Sequence, residues 1–205
     1  MHVTWPLLAA LYHLGRWDEM PPIAEEHVAA YAQEPATECQ FVRDGPLIAA
    51  SALAHMGQLE QARALAAIPG DPAADPDTAS NWQAWYLVAS GDPAAARAIA
   101  GPKALEGRNL GPQYAMVLVE ALVALEDWSA LDKILPHARA ATAGNALLEP
   151  FCDRALGLMT AAGGDWHSAS EHLARAVTGF EKFKVPYQAA RTRQFLAALG
   201  HRPCC

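Results

Sequence analysis

Charge is scarce in this sequence. Charged residues make up 18% of the 205 residues, and the balance is acidic, with a formal net charge of -7. No stripe of Lys and Arg runs along any predicted helix. The counterion-release term that drives binding to a phosphate backbone is therefore missing, and no nucleic-acid partner is expected. Cysteines are few: Cys39, Cys152, Cys204 and Cys205 contain no CxxC pair, and the adjacent Cys204 and Cys205 cannot readily meet disulfide geometry. The longest apolar run, 115–125, is interrupted by Glu120 and is too short to span a bilayer. The opening MHVTWPLLAALYHLG has neither a basic n-region nor a small-residue cleavage site. These absences predict a cytoplasmic chain from a reducing compartment, with no membrane partner.

Signatures of chemistry are also missing. There is no GxxxxGK[ST], no GxGxxG after a strand, no GxSxG and no HExxH. No segment alternates apolar and polar residues over five positions between turn signals, so no strand is predicted. His167 and His172 stand five apart, which does not align them on one helical face. Glu25 and Glu26 beside His27 diverge by about 100° per position on a helix, so they are expected on a solvated face. Cys152 beside Asp153 is expected to be a small buried thiol. Catalytic residues, cofactors and metals are therefore all expected to be absent.

What is present is alanine-rich apolar sequence with a period. Apolar residues make up 52%, and much of that is alanine, the best helix former. Five turns recur: LGRW at Leu14–Trp17, MGQL at Met56–Leu59, SGDP at Ser90–Pro93, LEDW at Leu125–Trp128 and GGDW at Gly163–Trp166. Their register positions, Gly15, Gly57, Gly91, Glu126 and Gly164, are 42, 34, 35 and 38 residues apart. A period of about 34 is what two short helices and two turns require. Five residues past each register position stand Met20, Ala62, Ala96, Leu131 and Ala169; four further on stand Ala24, Ala66, Ala100, Leu135 and Leu173. That i, i+4 recurrence is the buried stripe of a second helix. Asp92, Asp127 and Asp165 occupy N-cap positions, and glycine at the turn permits a positive φ there.

The predicted hairpins span about 4–33, 43–68, 77–100, 112–142 and 150–184, with a capping helix at 186–199. The Pro-rich stretch 69–76 is predicted to be a rigid linker, Gly101-Pro102 is predicted to begin another, and Lys184-Val185-Pro186 is predicted to break a helix. The fold class expected is all-α, in one domain covering 1–205.

At these residues the chain resembles tetratricopeptide repeats. The likeness rests on a small residue in the first helix (Gly157, with Ala50 and Ala84 in register), on the turn glycine, and on the alanine opening the second helix (Ala62, Ala96, Ala169), with Glu126 and Leu131 replacing the glycine and the alanine in the fourth copy. The segment from Gly179 to Arg193 is also similar to divergent repeats attached to bacterial signalling ATPases, nucleotide cyclases and transcription regulators. The resemblance implies a right-handed α-solenoid of five antiparallel hairpins plus the cap. It also implies a concave groove lined by first helices. Carried over by register, the groove positions are Trp5, Tyr12 and His13; Asp44, Ser51 and His55; Asn81 and Trp85; Gln113, Met116 and Glu120; and Phe151, Arg154 and Leu158.

Aromatic anchors mixed with amides and a few charges suit recognition of a peptide. The groove carries no Lys/Arg clamp for a peptide carboxylate. The function implied is a non-catalytic scaffold that binds a protein or peptide, or another domain of its parent protein. The alternative is a small-molecule sensor domain of a larger bacterial signalling protein. A homodimer through the N-terminal face around Trp5 and Leu8 is a further expectation. The least favoured rival, a helical enzyme, would need His13 or His55 to meet Asp44 or Glu120 in a cleft.

Overall fold

The computed structural model describes residues 4–33, 40–68, 80–105 and 111–200. Among them every regular element is helical. In chain order the α-helices are α1 (Thr4–Leu14), α2 (Met20–Gln33), α3 (Gln40–His55), α4 (Leu59–Ala66), α5 (Asn81–Ser90), α6 (Pro93–Leu105), α7 (Pro112–Ala124), α8 (Trp128–Thr142), α9 (Glu149–Ala162), α10 (Trp166–Lys182) and α11 (Pro186–Gly200), with a 3₁₀ turn at Trp17–Glu19 before α2. The linker expected at 69–76 lies outside the described residues, as do Cys39, Cys204 and Cys205. The linker expected to begin at Gly101-Pro102 does not begin there, because α6 continues through both residues to Leu105. Proline fixes φ near the helical value, so one lost N–H is not enough to end this helix.

Within each hairpin the two helices are joined by one kind of local turn. The five register positions all have positive φ: Gly15 at 71°, Gly57 at 78°, Gly91 at 92°, Gly164 at 90°, and Glu126 at 53° without the freedom of glycine. After each, a backbone N–H reaches back five residues: Arg16 to Leu11, Gln58 to Leu53, Asp92 to Leu87, Asp127 to Leu122 and Asp165 to Thr160. This is the Schellman closure, which satisfies carbonyls left over at a helix C-terminus. A sixth copy closes α10, where Lys184 has φ 55° and Val185 N–H donates to the Phe180 carbonyl. Three aspartates then cap the following helices. Asp92 accepts from Ala95 N–H, Asp127 from Ala130 N–H and Asp165 from Ser168 N–H, at 3.0, 3.0 and 3.1 Å.

The chain divides into two compact units, Met1–Ile99 and Ala100–Cys205. In the first, α3 is central and packs on α1, α2, α4 and α5. Its residues Leu47 to Ala54 are buried on every side, which is how a helix surrounded by neighbours differs from an amphipathic surface helix. In the second, α9 is central and packs on α7, α8, α10 and α11. Gly157 lets α9 and α10 meet closely: a Cβ there would lie 2.8 Å from Leu173 Cγ and 3.1 Å from the Ala169 carbonyl oxygen. The second-helix stripe is interior in both units, with Ala24, Ala62, Ala96, Leu131, Ala169 and Leu173 all at 0% exposure.

Candidate functional site

Some of the first-helix polar and aromatic positions gather into a cluster in each unit. In the first unit the cluster grows from Tyr12 on α1 and His55 at the end of α3. The Tyr12 hydroxyl lies 3.1 Å from His55 Nε2. The rings of both stack on Trp17, with centroids 6.0 Å and 5.4 Å away. Trp17 is held in place because its indole N–H donates to the Tyr12 carbonyl at 2.9 Å. Trp82, at the start of α5, meets the Tyr12 ring edge-on at 5.2 Å, and His13 lies against both Tyr12 and Trp82. His13 and His55 are half-buried, whereas Tyr12, Trp17 and Trp82 are buried. Burial lowers the pKa of the His13 imidazole to about 4, so at neutral pH that ring is uncharged, and it lies half-buried at the edge of the cluster.

Asp44 lies in the same unit, on α3, at 3% exposure. Burial raises its carboxyl to about 6, opposed by a hydrogen bond from Ser80 and by Arg43 nearby. Its Oδ1 is buried without a hydrogen-bond partner. Ser80 is itself committed to the start of α5: its N–H donates to Gln83 Oε1 at 2.7 Å, and its hydroxyl accepts from Gln83 N–H. This is a reciprocal capping box. Ser51 is fully buried and turns back on its own helix, donating to the Leu47 carbonyl at 2.8 Å. Trp85 is buried, while Trp5 and Asn81 are partly exposed.

In the second unit the cluster is ionic. Glu120 on α7 and Arg154 on α9 are each 1% exposed, with Oε1 and Nη2 2.9 Å apart. Those two atoms are close as ions but are not aligned as a hydrogen bond. Arg191 on α11 completes the group by donating from Nη1 to Glu120 Oε2 at 2.8 Å. Arg154 Nη1 donates to Gln188 Oε1 at 2.6 Å and to the Thr192 hydroxyl at 3.3 Å. The Arg154 guanidinium also sits over Phe151 and Phe180, 5.1 Å from each ring centroid, and those rings meet edge to face. Burial alone would push the Glu120 carboxyl up, but Arg154 and Arg191 together outweigh it and hold the group below the usual carboxylate range. Burial likewise lowers the Arg154 guanidinium, against the pull of Glu120. Met116 is buried beside this cluster on α7, Leu158 is half-buried, and Gln113 is exposed.

The structure thus joins Tyr12, His13 and His55 in one place, and Glu120, Phe151 and Arg154 in another. Trp17, Trp82, Gln188, Arg191 and Thr192 complete the two clusters and were not among the positions carried over by register. Trp17 stands in the turn motif, where a 3₁₀ turn folds it inward. Gln188, Arg191 and Thr192 share one face of α11 at i, i+3 and i+4 spacing, a signal available to inspection.

Among the described residues, Glu25, Glu26, His27, His167 and His172 stand apart from these clusters. His27 is buried and bonded to the Thr4 hydroxyl at 2.5 Å, while Glu25 and Glu26 are exposed. His167 faces Glu171 at 3.4 Å on the exposed side of α10, and His172 pairs with Arg175. Among the described residues, no group of three or more His, Cys, Asp or Glu side chains is placed to hold a metal ion. No described helix is long and apolar enough to cross a membrane. No known protein family, curated protein or solved structure matches this chain.

Proposed function

We propose that this chain is a non-catalytic interaction scaffold of the tetratricopeptide-like kind, whose five hairpins and final helix form an α-solenoid. Its recognition surface for a peptide or partner domain is the aromatic–imidazole patch of α1, α3 and α5. The observation that carries the proposal is the convergence of Tyr12, His13, His55 and Trp82 with Trp17, rings packed against one another with the two imidazoles half-buried. Half-buried imidazoles held on packed aromatic rings suit an interface hot spot, because the supporting side chains have little entropy left to lose. The repeated Schellman closures support the solenoid reading, since a recurring local turn is how a repeat array sets its pitch.

Display of a random peptide library against the full chain tests the reading. Selected peptides are expected to bind about tenfold more weakly to a His13→Ala/His55→Ala variant whose helical circular dichroism matches the parent. Peptides that bind the variant and the parent equally would remove the patch as the recognition surface.

A further inference from the structure

A cavity of about 290 Å³ opens in the second unit between the end of α8 and the start of α9, lined by Arg139, Thr142, Ala143, Glu149, Cys152 and Asp153. It shares no lining residue with the Glu120 cluster of the same unit. The geometry points to a binding site for a free α-amino acid or a similarly small zwitterion.

Three features of the lining argue for that ligand class. First, ligand sites start at about 300 Å³, so this cavity suits a molecule of single-amino-acid size and is small for a nucleotide. Second, its walls carry both signs of charge: the Arg139 guanidinium on α8 pairs with the Asp153 carboxylate on α9, and Glu149 Oε1 accepts from the Gly144 N–H at 3.3 Å. Arg139 Nη2 donates to Asp153 Oδ1 at 2.8 Å, and Arg175 Nε on α10 lies 4.0 Å from the same oxygen. One lining cation against two carboxylates, with Arg175 beside Asp153, leaves no excess positive charge to hold a phosphate. A ligand with one charge of each sign can meet both walls, each of its charges opposite a group of the other sign. A guanidinium also carries five donors in a planar fork that matches a carboxylate, and its contact with Asp153 runs through one nitrogen. Third, the rest of the lining is small and neutral. Ala143 is exposed at the rim, and the Cys152 thiol is held at the floor 3.8 Å from the Thr142 hydroxyl. Burial pushes that thiol up, so it stays protonated and offers a soft apolar surface to a short side chain.

Isothermal calorimetry of the full chain against the common amino acids, with acetate and ethylamine as single-charge probes, tests the assignment. At least one amino acid is expected to bind with a Kd below about 1 mM, and acetate and ethylamine about tenfold more weakly or not at all. Arg139→Ala is expected to weaken that binding about tenfold. Ala143→Trp, which places bulk at the exposed rim, is expected to abolish it while helical circular dichroism is retained. If Ala143→Trp perturbs folding, Glu149→Gln is the second probe, with the same expected direction. Absence of heat with every amino acid, unchanged binding in the Arg139→Ala and Ala143→Trp chains, or acetate binding as tightly as the best amino acid would each overturn the assignment. Peptide binding at His13 and His55 is scored on different variants, so the two results are independent.

Discussion

The unit centred on α3 and the unit centred on α9 share one turn geometry and a buried second-helix stripe, yet they treat buried charge in opposite ways. Around α3, the one buried carboxyl among the described residues, Asp44, has an oxygen without a hydrogen-bond partner and its affinity for a proton raised. Around α9, Glu120 is enclosed by Arg154 and Arg191, and Arg154 is clasped by Gln188, Thr192 and two phenylalanines. The first unit therefore holds a buried acid that is easier to keep when protonated. The second holds ions that are tolerable only together. Similar backbones leave the choice of interior chemistry open, and the difference predicts how each half responds to mutation and to pH.

The largest effect is expected from breaking the ionic cluster. Glu120→Ala or Arg154→Ala should each cost about 3–5 kcal/mol, because the remaining buried ion loses its partner. The double change Glu120→Leu/Arg154→Met should cost far less than the two single losses combined. Urea unfolding followed by circular dichroism measures all three, and single losses under about 1 kcal/mol would mean the cluster is solvated. Because the Glu120 carboxyl is held below its usual range, its contribution is present above the unfolded pKa of 4.5 and is lost as pH falls through the folded value.

Asp44 has the opposite sign. Its folded pKa of about 6 lies above the unfolded 3.8, so its stability contribution is complete below about pH 3.8 and is lost as pH rises to about 6. Asp44→Asn keeps a neutral side chain of the same shape. It should stabilise the chain by up to about 3 kcal/mol at pH 8 and leave stability near pH 3.5 unchanged. Equal effects at both pH values would show that the carboxyl is not buried in solution.

His13 sharpens the same contrast. With its folded pKa near 4 against 6.5 unfolded, it favours folding fully above pH 6.5 and loses that contribution as pH falls through 4. Its imidazole proton resonances, followed by NMR, should titrate near pH 4. A midpoint near 6.5 would place the ring in water and weaken the case for the patch.

The smallest effects concern the turn that the two units share. Gly91→Ala should cost about 1 kcal/mol from positive φ alone, since nothing lies within 4 Å of the added carbon. Glu126→Gly should gain about 0.5 kcal/mol, as relief of the left-handed backbone slightly exceeds the added freedom of the unfolded chain. Thermal unfolding of both variants measures the pair. A loss on Glu126→Gly would mean that the glutamate side chain stabilises its turn by more than the strain costs.

The turns and caps were legible from residues a few positions apart. Gly15, Gly57, Gly91 and Gly164 mark left-handed closures, and Asp92, Asp127 and Asp165 mark caps, because both devices are made within six residues of chain. Glu126 was legible only through the period, since nothing about glutamate itself calls for positive φ. Lys184 was legible as part of a break at the following proline, but not as a sixth copy of the same closure. The helical stripe followed from i, i+4 spacing for the same local reason. That Trp17 would fold inward from its turn, and that α11 would supply Arg191 to a glutamate 71 residues earlier, had no local cause to read.

By itself, then, the sequence determined that the chain is helical, where its hairpins turn, and which alanines and leucines face inward. All of these are set by interactions within one or two helical turns. Tertiary structure alone decided which polar residues met. Tyr12 finds His55 43 positions away, and Arg154 finds Gln188 34 positions away. Their partners were drawn from helices whose packing, and not whose spacing, brought them within reach. A buried charge is stable only beside its compensating group. The identity of that group is therefore a property of three helices at once, and no single stretch of chain contains it.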